Sequence, residues 1–273
     1  MSNFERILLG KGSTWSYAVM SGVLAFVPEE LFKHGVIPCE WSESAILLVN
    51  RLLFFLLVFT ISNIIFFRYL KRRNSVILSD KTMVIKIEYG DIVKIKSGKK
   101  VINFDECFST TVGGNPEEVK PGSVCGQYLA KHPISNMADL IKSAGIQPSG
   151  ESRYNNTLSY TPGTLIPKDD YLLMAFAKLD ERGLGRMAYD EYLKCLDKLW
   201  EQIDLYHGTD DVYLPILGSR ITRFDKDLTQ QELLDVMIAS YRLSPNKMTK
   251  PSVLHIVCRR RDDFSINDVL GVD

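Results

Sequence analysis

Along most of the chain, apolar residues occur in short blocks separated by polar turns, and the spacing within the blocks changes from one to the next. Alternating or continuous apolar blocks predict strands, and apolar residues that recur every three or four positions predict helices. The predicted strands are 75–79, 83–88, 100–104, 171–178, 212–217 and 252–258, and the predicted helices are 123–131, 136–144, 186–205 and 229–243. This mixed order predicts an α/β layered domain over residues 74–273.

The first 73 residues have a different pattern. Residues 52–67 form a run of sixteen residues without a charge, and the apolar run extends back to Ala45, interrupted by Asn50 and Arg51. That length is enough to cross a bilayer. Basic residues follow immediately, at Arg68, Lys71, Arg72 and Arg73. Such clusters mark the cytoplasmic end of a span, so we expect the domain after residue 73 in the cytoplasm. A buried core helix is the alternative.

A second apolar stretch, residues 15–27, is shorter. It is compatible with a short or tilted span, a re-entrant segment or the apolar part of a signal peptide. Arg6 and Lys11 precede it. The connection to the next apolar run carries the acidic residues Glu29, Glu30, Glu40 and Glu43. We therefore favour a two-helix membrane hairpin over residues 1–73, with spans at about 15–33 and 46–67 and both ends in the cytoplasm.

Composition narrows the function classes. The chain has 33 basic and 33 acidic residues, and a dedicated nucleic-acid binder would usually be basic. Its five cysteines are dispersed, without a C-x-x-C pair, which favours reduced thiols in a cytosolic domain. The four histidines are equally scattered, so no zinc site is predicted.

Three short motifs lie at a strand end or a helix start. Tyr89-Gly90-Asp91-Ile92 closes one strand, the segment 121–127 (PGSVCGQ) opens a helix, and 217–220 (LGSR) follows another strand. Ligands of α/β sheets bind beyond the carboxyl ends of strands, and backbone N–H groups near helix starts can hold a diphosphate. Each motif alone also fits a plain turn or helix cap, and neither a P-loop nor a dinucleotide-binding fingerprint is present.

The order of these motifs, together with "KVINFDECFSTTV" at 100–112 and "LPILGSRITR" at 214–223, resembles a macro domain, the module that binds ADP-ribose. More narrowly, it is similar to the divergent macro domain behind two membrane spans in ThsA-type effectors of Thoeris bacterial antiphage defence. Two segments depart from that family: Phe108-Ser109-Thr110 lacks the aspartate of F-D-T, and the segment 123–126 lacks the histidine of S-L-H-G. The resemblance covers nearly the whole chain and implies a three-layer α/β/α domain with a mixed sheet.

The resemblance also implies a function. A partner TIR-domain enzyme makes an ADP-ribose-derived signal from NAD, for example a histidine adduct of ADP-ribose. The macro domain binds this signal, and the effector then oligomerises in the bacterial inner membrane and disrupts it, leading to abortive infection. No cofactor, metal or nucleic-acid partner is expected.

The ligand-binding residues that the resemblance implies fall into three groups. Asp91 and Ile92 would contact the adenine. One phosphate loop would comprise Ser123, Cys125 and Gly126, and the other Leu217, Gly218, Ser219 and Arg220. Arg220 would also pair with a phosphate or with a carboxylate of the signal; its alternative is a surface salt bridge.

Two other functions stay open. The first is a membrane-anchored ADP-ribosyl hydrolase, for which Asn103 is the only nearby amide on strand 100–104. The second is a ligand-free membrane scaffold, in which Tyr189, Tyr192, Trp200 and Tyr206 would form a partner surface; alternatively these residues belong to the core.

Within the main span, Arg51 and Ser62 share a helix face and would line a pore, unless Arg51 only extends to the outer interface.

Overall fold

A computed structural model describes residues 11–33, 42–219, 222–261 and 264–269. The chain divides into two compact units at the boundary between Arg73 and Asn74. The first unit is helical, and the second combines a sheet with helices.

The helical unit contains a short helix and a long one. Helix α1 (Lys11–Phe26) has 16 residues, a 3₁₀ turn follows at Glu29–Phe32, and helix α2 (Glu43–Arg72) has 30 residues. At 1.5 Å per residue α2 is about 45 Å long, more than the roughly 30 Å of a bilayer core. Among the described residues, α2 is the one helix long and apolar enough to cross a membrane. The predicted span 15–33 is not one continuous helix, because the chain is extended at Pro28.

No described apolar side chain of α2 is buried, and about half of them are exposed. Asn50 and Ser62 are its buried residues, whereas Leu52 and Leu57 are each more than half exposed. A core helix of a globular protein buries its apolar side, so this exposure argues against the core-helix alternative. The polar contacts run to the 3₁₀ turn: the amide of Asn50 donates to the carbonyl of Phe32 (2.8 Å), and Arg51 pairs with Glu29 (3.2 Å).

The second unit is built on a mixed sheet. Its strands are β1 (Ser75–Ser79), β2 (Val84–Tyr89), β3 (Lys99–Asp105), β4 (Gly150–Glu151), β5 (Leu158–Ser159), β6 (Leu165–Lys168), β7 (Tyr171–Leu179), β8 (Gly185–Met187), β9 (Val212–Pro215), β10 (Arg223–Phe224) and β11 (Leu254–Cys258). The order across the main sheet is β1-β2-β11-β9-β3-β7-β8-β10, with β6 paired to β7, while β4 and β5 form a separate hairpin. The five strands β2, β11, β9, β3 and β7 are parallel, and β1 and β6 are antiparallel to their neighbours.

Helices cover both faces of this sheet. They are α3 (Val124–Lys131), α4 (Met137–Ser143), α5 (Tyr189–Tyr206) and α6 (Gln230–Leu243). Along β7, Met174 and Phe176 join one apolar cluster with residues of α5 and α6, while Leu173 and Ala175 join a second cluster with residues of α3 and α4. Successive residues of a strand point to opposite faces, so the sheet is buried on both sides. The predicted three-layer α/β/α domain with a mixed sheet is confirmed.

The aromatic residues of α5 lie largely in the core. Tyr192 and Trp200 are fully buried, and the indole N–H of Trp200 donates to the hydroxyl of Ser240 (3.0 Å). Tyr189 and Tyr206 are only partly exposed. Tyr192 and Trp200 are therefore core residues. Only Tyr189 and Tyr206 of this group remain partly available to a partner.

Candidate ligand-binding cleft

A cleft of about 250 Å³ opens where the parallel strands β2, β9 and β11 end. Gly90 follows β2, Ile216 follows β9, and Cys258 is the last residue of β11, and all three line the cleft. This edge of the sheet is where ligands of open α/β folds bind, because loops and helix starts meet there. The three strand ends meet because β11 lies between β2 and β9 in the sheet, although the three strands are not consecutive in the chain.

Four of the sequence-predicted site residues line this cleft, namely Ile92, Ser123, Gly218 and Ser219. They come from three separate loops, so the fold brings the three predicted motifs to one place. Asp91 stands between two lining residues, Gly90 and Ile92, but is not itself in the wall. The side chains of Cys125 and Leu217 are buried, as is Gly126, and none of the three lines the cleft. Arg220 lies outside the described residues.

The loop after β9 needs glycine at 218. Gly218 has a φ of +79°, a conformation that other residues adopt at a cost. A Cβ atom there would lie 2.5 Å from the ring of Phe224. Among the described residues, the backbone N–H groups of Gly218 and Ser219 have no hydrogen-bond partner, while the Ser219 hydroxyl donates to the carbonyl of Ile216 (3.0 Å). The loop therefore offers two free backbone donors.

The start of α3 also offers backbone donors. Ser123 is the N-cap: its hydroxyl accepts from the Gly126 N–H (2.9 Å) and donates to the Lys120 carbonyl (2.7 Å). The predicted role of this hydroxyl as a ligand contact therefore competes with a cap. The N–H groups of Val124 and Cys125 have no partner within the described part of the chain. Free donors in a first helical turn carry the positive end of the helix dipole and favour an anion.

Sequence reasoning missed a group of arginines in the wall of the cleft. Arg259, Arg260 and Arg261 follow β11 directly and all line the cleft, whereas no aspartate or glutamate is among its described lining residues. The signal was present in the sequence as a basic triplet immediately after the predicted strand 252–258. Its meaning depends on where that strand lies in the sheet, which is between β2 and β9.

The three guanidinium groups differ in their contacts. Arg261 donates weakly to the Ser219 carbonyl and to the Gln230 side chain (3.4 Å each). The guanidinium of Arg260 lies 4.3 Å from the centre of the Tyr89 ring. Arg259 is half-buried and makes no hydrogen bond or ion pair with any described residue. A free guanidinium beside free N–H groups suits a phosphate, which it can bind through two parallel hydrogen bonds.

Asp91 is held by local contacts. It caps the 3₁₀ turn Ile92–Lys94, where its carboxylate accepts from the Val93 N–H (3.2 Å) and lies 3.8 Å from the Lys94 ammonium. About a third of its side chain is exposed. The carboxylate therefore keeps some capacity to accept a further hydrogen bond at the cleft rim.

A second, larger cleft of about 650 Å³ lies beyond the carboxyl end of β7. Phe224, whose ring faces Gly218 of the first cleft, is part of its wall. On its floor, one carboxylate oxygen of the buried Glu106 accepts from the Ser152 hydroxyl (2.6 Å) and the Leu179 N–H (3.0 Å). The two clefts thus adjoin at the Gly218–Phe224 contact.

Asp180 in the wall of the second cleft should titrate far below an ordinary aspartate. A hydrogen bond from Arg186 (2.7 Å), with others from backbone N–H groups, lowers the pKa of Asp180 from 3.8 to about 2. Its contribution to folding stability is then complete above about pH 4 and is lost as the pH falls toward 2. NMR titration of the carboxyl carbon should show the low pKa, and Arg186→Met should raise it toward 3.8. Unchanged titration in that variant would contradict the assigned cause.

The described cysteines are free thiols without signs of catalytic activation. Cys107, Cys125, Cys195 and Cys258 form no disulfide. Burial raises the pKa of Cys107 to about 12 and that of the Cys125 thiol well above its ordinary value. A nucleophilic cysteine needs a lowered pKa, whereas the pKa values of these two thiols are raised. Within the described ranges, no group of three or more His, Cys, Asp or Glu side chains could hold a metal ion.

Comparison with known proteins identifies the family. Residues 85–259 match the family model described as Thoeris protein ThsA, macro domain. The Thoeris protein ThsA of Bacillus amyloliquefaciens (strain Y2) is 29% identical over 203 residues, which cover 71% of this chain and 68% of that protein.

Two solved structures from Oceanobacillus iheyensis are also similar. A macrodomain mutant is 11% identical, with a TM-score of 0.46 over 70% of this chain and 93% of that one. A macrodomain solved with ADP is 10% identical, with a TM-score of 0.41 over 69% of this chain and 90% of that one. Because the family model spans more than half of the 273 residues, the chain belongs to the Thoeris ThsA family and carries its macro domain.

Proposed function

We propose that the first cleft binds an ADP-ribose-derived signal and that the protein is a membrane-anchored effector of Thoeris antiphage defence. The observation that carries the proposal is the charge of the cleft. Three arginines line it, and its described lining residues include no carboxylate. The positive charge of this wall attracts a doubly charged diphosphate, and no described carboxylate in the wall repels the phosphate oxygens.

In this proposal the diphosphate lies between the start of α3 and the loop after β9. The free N–H groups of Val124, Gly218 and Ser219 in the cleft wall donate to its oxygens. The free N–H of Cys125 adds to the positive end of the α3 dipole, and Arg259 offsets part of the ligand charge. Cys125 and Gly126 then act through the backbone that they shape, not through side chains. Leu217 supports the same loop from the core. Arg220, if it reaches the ligand, adds a further cation.

The adenine is proposed to lie at the end of β2. Ile92 is buried and lines the cleft, so it offers an apolar contact to the base. Asp91 beside it keeps a partly exposed carboxylate that can accept from the adenine amino group. A cleft of about 250 Å³ is smaller than most sites for drug-sized ligands, which range over about 300–1,000 Å³. The part of the signal beyond the diphosphate therefore extends past Gly218 toward the second cleft.

Membrane anchoring is proposed from α2. Its length, its exposed leucines and the basic residues at its end suit a span with the macro domain in the cytoplasm. With 16 residues, α1 measures about 24 Å, which is short for a span and leaves a tilted or re-entrant arrangement for the first segment. The Asn50–Phe32 and Arg51–Glu29 contacts fix the 3₁₀ turn to α2.

Activation requires that the signal bind the assembled form better than the resting form. Moving the protein from mostly resting to mostly assembled takes about 5 kcal/mol of differential binding. In the proposed sequence, a TIR-domain partner makes the signal from NAD, the macro domain binds it, and the chains oligomerise and disrupt the inner membrane. Abortive infection follows from that damage.

An ADP-ribosyl hydrolase would use the same cleft differently. Asn103 of β3 lines the cleft and could position a water molecule. A hydrolase also needs a group that accepts a proton, and the described lining residues include neither a carboxylate nor a histidine. We therefore propose binding without turnover.

Reconstituted vesicles test the proposed function. The full chain in vesicles loaded with a self-quenching dye should release the dye when ADP-ribose or its histidine adduct is added, and a carbonate wash should leave the chain in the membrane. The same samples incubated with ADP-ribosylated protein should release no ADP-ribose. Turnover of that substrate would favour the hydrolase. Tight ligand binding without dye release would contradict the proposed membrane disruption.

A further inference from the structure

We propose that Arg260 transmits ligand binding in the cleft to Asn74, the first residue of the second unit. It would do so by exchanging its hydrogen bond to Asn74 for a bond to the ligand phosphate. The inference rests on the proposed function, since it assigns a regulatory role within the same cleft. It concerns a contact that none of the predicted motifs contains.

Arg260 lies in two environments at once. It lines the cleft, and its guanidinium donates to the side-chain carbonyl of Asn74. The same guanidinium lies over the ring of Tyr89, the last residue of β2. Tyr89, which donates its N–H to Asn74, immediately precedes Gly90 in the cleft wall, so the Asn74 contact and the wall are adjacent in the chain.

Asn74 is the residue at the unit boundary. It follows Arg73, the C-cap of α2, and it precedes β1. Two contacts hold it to the macro domain: the Arg260 bond to its side chain and the Tyr89 N–H, which donates to its backbone carbonyl (3.0 Å). Loss of the first contact leaves the second as the remaining described bond at this residue.

Tyr89 is held from its other side by the C-terminal segment. Its hydroxyl accepts from the N–H of Ile266 (3.1 Å), and the ring of Phe264 packs edge-on against it, with the centroids 6.1 Å apart. The ring on which Arg260 rests is therefore fixed. A guanidinium on a fixed ring can turn its donors without losing its support.

The bond that Arg260 makes is of the kind a phosphate can replace. Asn74 is a neutral acceptor, and among the described residues no carboxylate pairs with Arg260. With Asn74 only the donor is charged, whereas with a phosphate both partners are charged and two parallel N–H···O bonds can form, so the phosphate is the stronger acceptor. A diphosphate in the cleft thus competes with Asn74 for the same donors. When the ligand is bound, Asn74 loses its hydrogen bond from Arg260.

Linkage makes the proposal measurable. If ligand and Asn74 compete for Arg260, removing the Asn74 side-chain acceptor must favour the ligand. In the full-length protein in detergent, Asn74→Leu should bind ADP-ribose or its histidine adduct several-fold more tightly, and Arg260→Met roughly tenfold more weakly. Arg182→Met, at an exposed arginine outside both clefts, should match the wild type.

Hydrogen exchange at the junction supplies a readout that simple loss of affinity would not move. In the wild type, the ligand should raise amide exchange in the segment 74–79 and at Tyr89. In Arg260→Met the exchange should already be raised without ligand and should not rise further. Tight wild-type binding with unchanged exchange and unchanged Asn74→Leu affinity would overturn this inference and leave the proposed function intact. Failure of both compounds to bind the wild type would overturn both.

Discussion

Replacing Arg259 by methionine should weaken the binding of an ADP-ribose derivative by about 10- to 100-fold. The guanidinium lines the cleft and has no partner among the described residues, so its donors are free for a phosphate. Charge-assisted hydrogen bonds contribute about 1.5–3 kcal/mol, which sets the size of the loss. Calorimetric titration of the full-length variant in detergent measures it.

The same substitution should leave the fold intact. Because Arg259 makes no described bond to the rest of the protein, the thermal midpoint should stay within about 2 °C of the wild type. Arg182→Met is the matched control, and we expect it to change neither property. Wild-type affinity in Arg259→Met would show that the arginine wall does not bind the diphosphate.

Replacing Gly126 by alanine should destabilise the macro domain by about 1–3 kcal/mol, although alanine is the better helix former. A Cβ atom at this position would lie 2.3 Å from the Lys120 carbonyl oxygen and 2.9 Å from the Cα atom of Pro121. Both are backbone atoms, so the loop before α3 would have to move. That movement should also weaken ligand binding, because the free N–H groups of Val124 and Cys125 begin the same helix.

Gly122→Ala in the same loop is the control. A Cβ atom at Gly122 meets no other atom within 4 Å, so this change should be nearly neutral in thermal or denaturant unfolding. Equal stability of the Gly126 and Gly122 variants would mean that the close contact with Lys120 does not constrain the loop.

The long elements of the macro domain could be predicted because their patterns are local. Strand β1 begins and ends as predicted, and helix α6 begins one residue after the predicted start. The missed strands, such as β8 with three residues and β10 with two, are too short to show a period. The predicted segment 15–33 contains a break that its apolar pattern does not show: α1 ends at Phe26 and the chain is extended at Pro28, and proline commonly marks such a boundary.

The candidate site was predictable only in part, for a physical reason. The loops at Ile92, Ser123 and Gly218 carry glycine and capping signals that can be recognised locally. The arginines after β11 carry no such signal, because a basic triplet equally suits an exposed surface. Their position in the cleft wall follows from the insertion of β11 between β2 and β9, a pairing of residues far apart in the chain. Burial of Cys125 and Leu217 likewise depends on tertiary packing.

Calorimetric titration of the full-length protein in detergent with ADP-ribose, NAD and the histidine adduct of ADP-ribose would decide whether the cleft binds such a ligand. An Asp91→Ala/Gly218→Val variant and Arg259→Met serve as comparisons. We expect saturable binding of at least one ADP-ribose derivative by the wild type, and binding at least tenfold weaker in both variants. No binding of any of the three compounds by the folded wild type would contradict it, and the ligand-free scaffold would then explain the chain better.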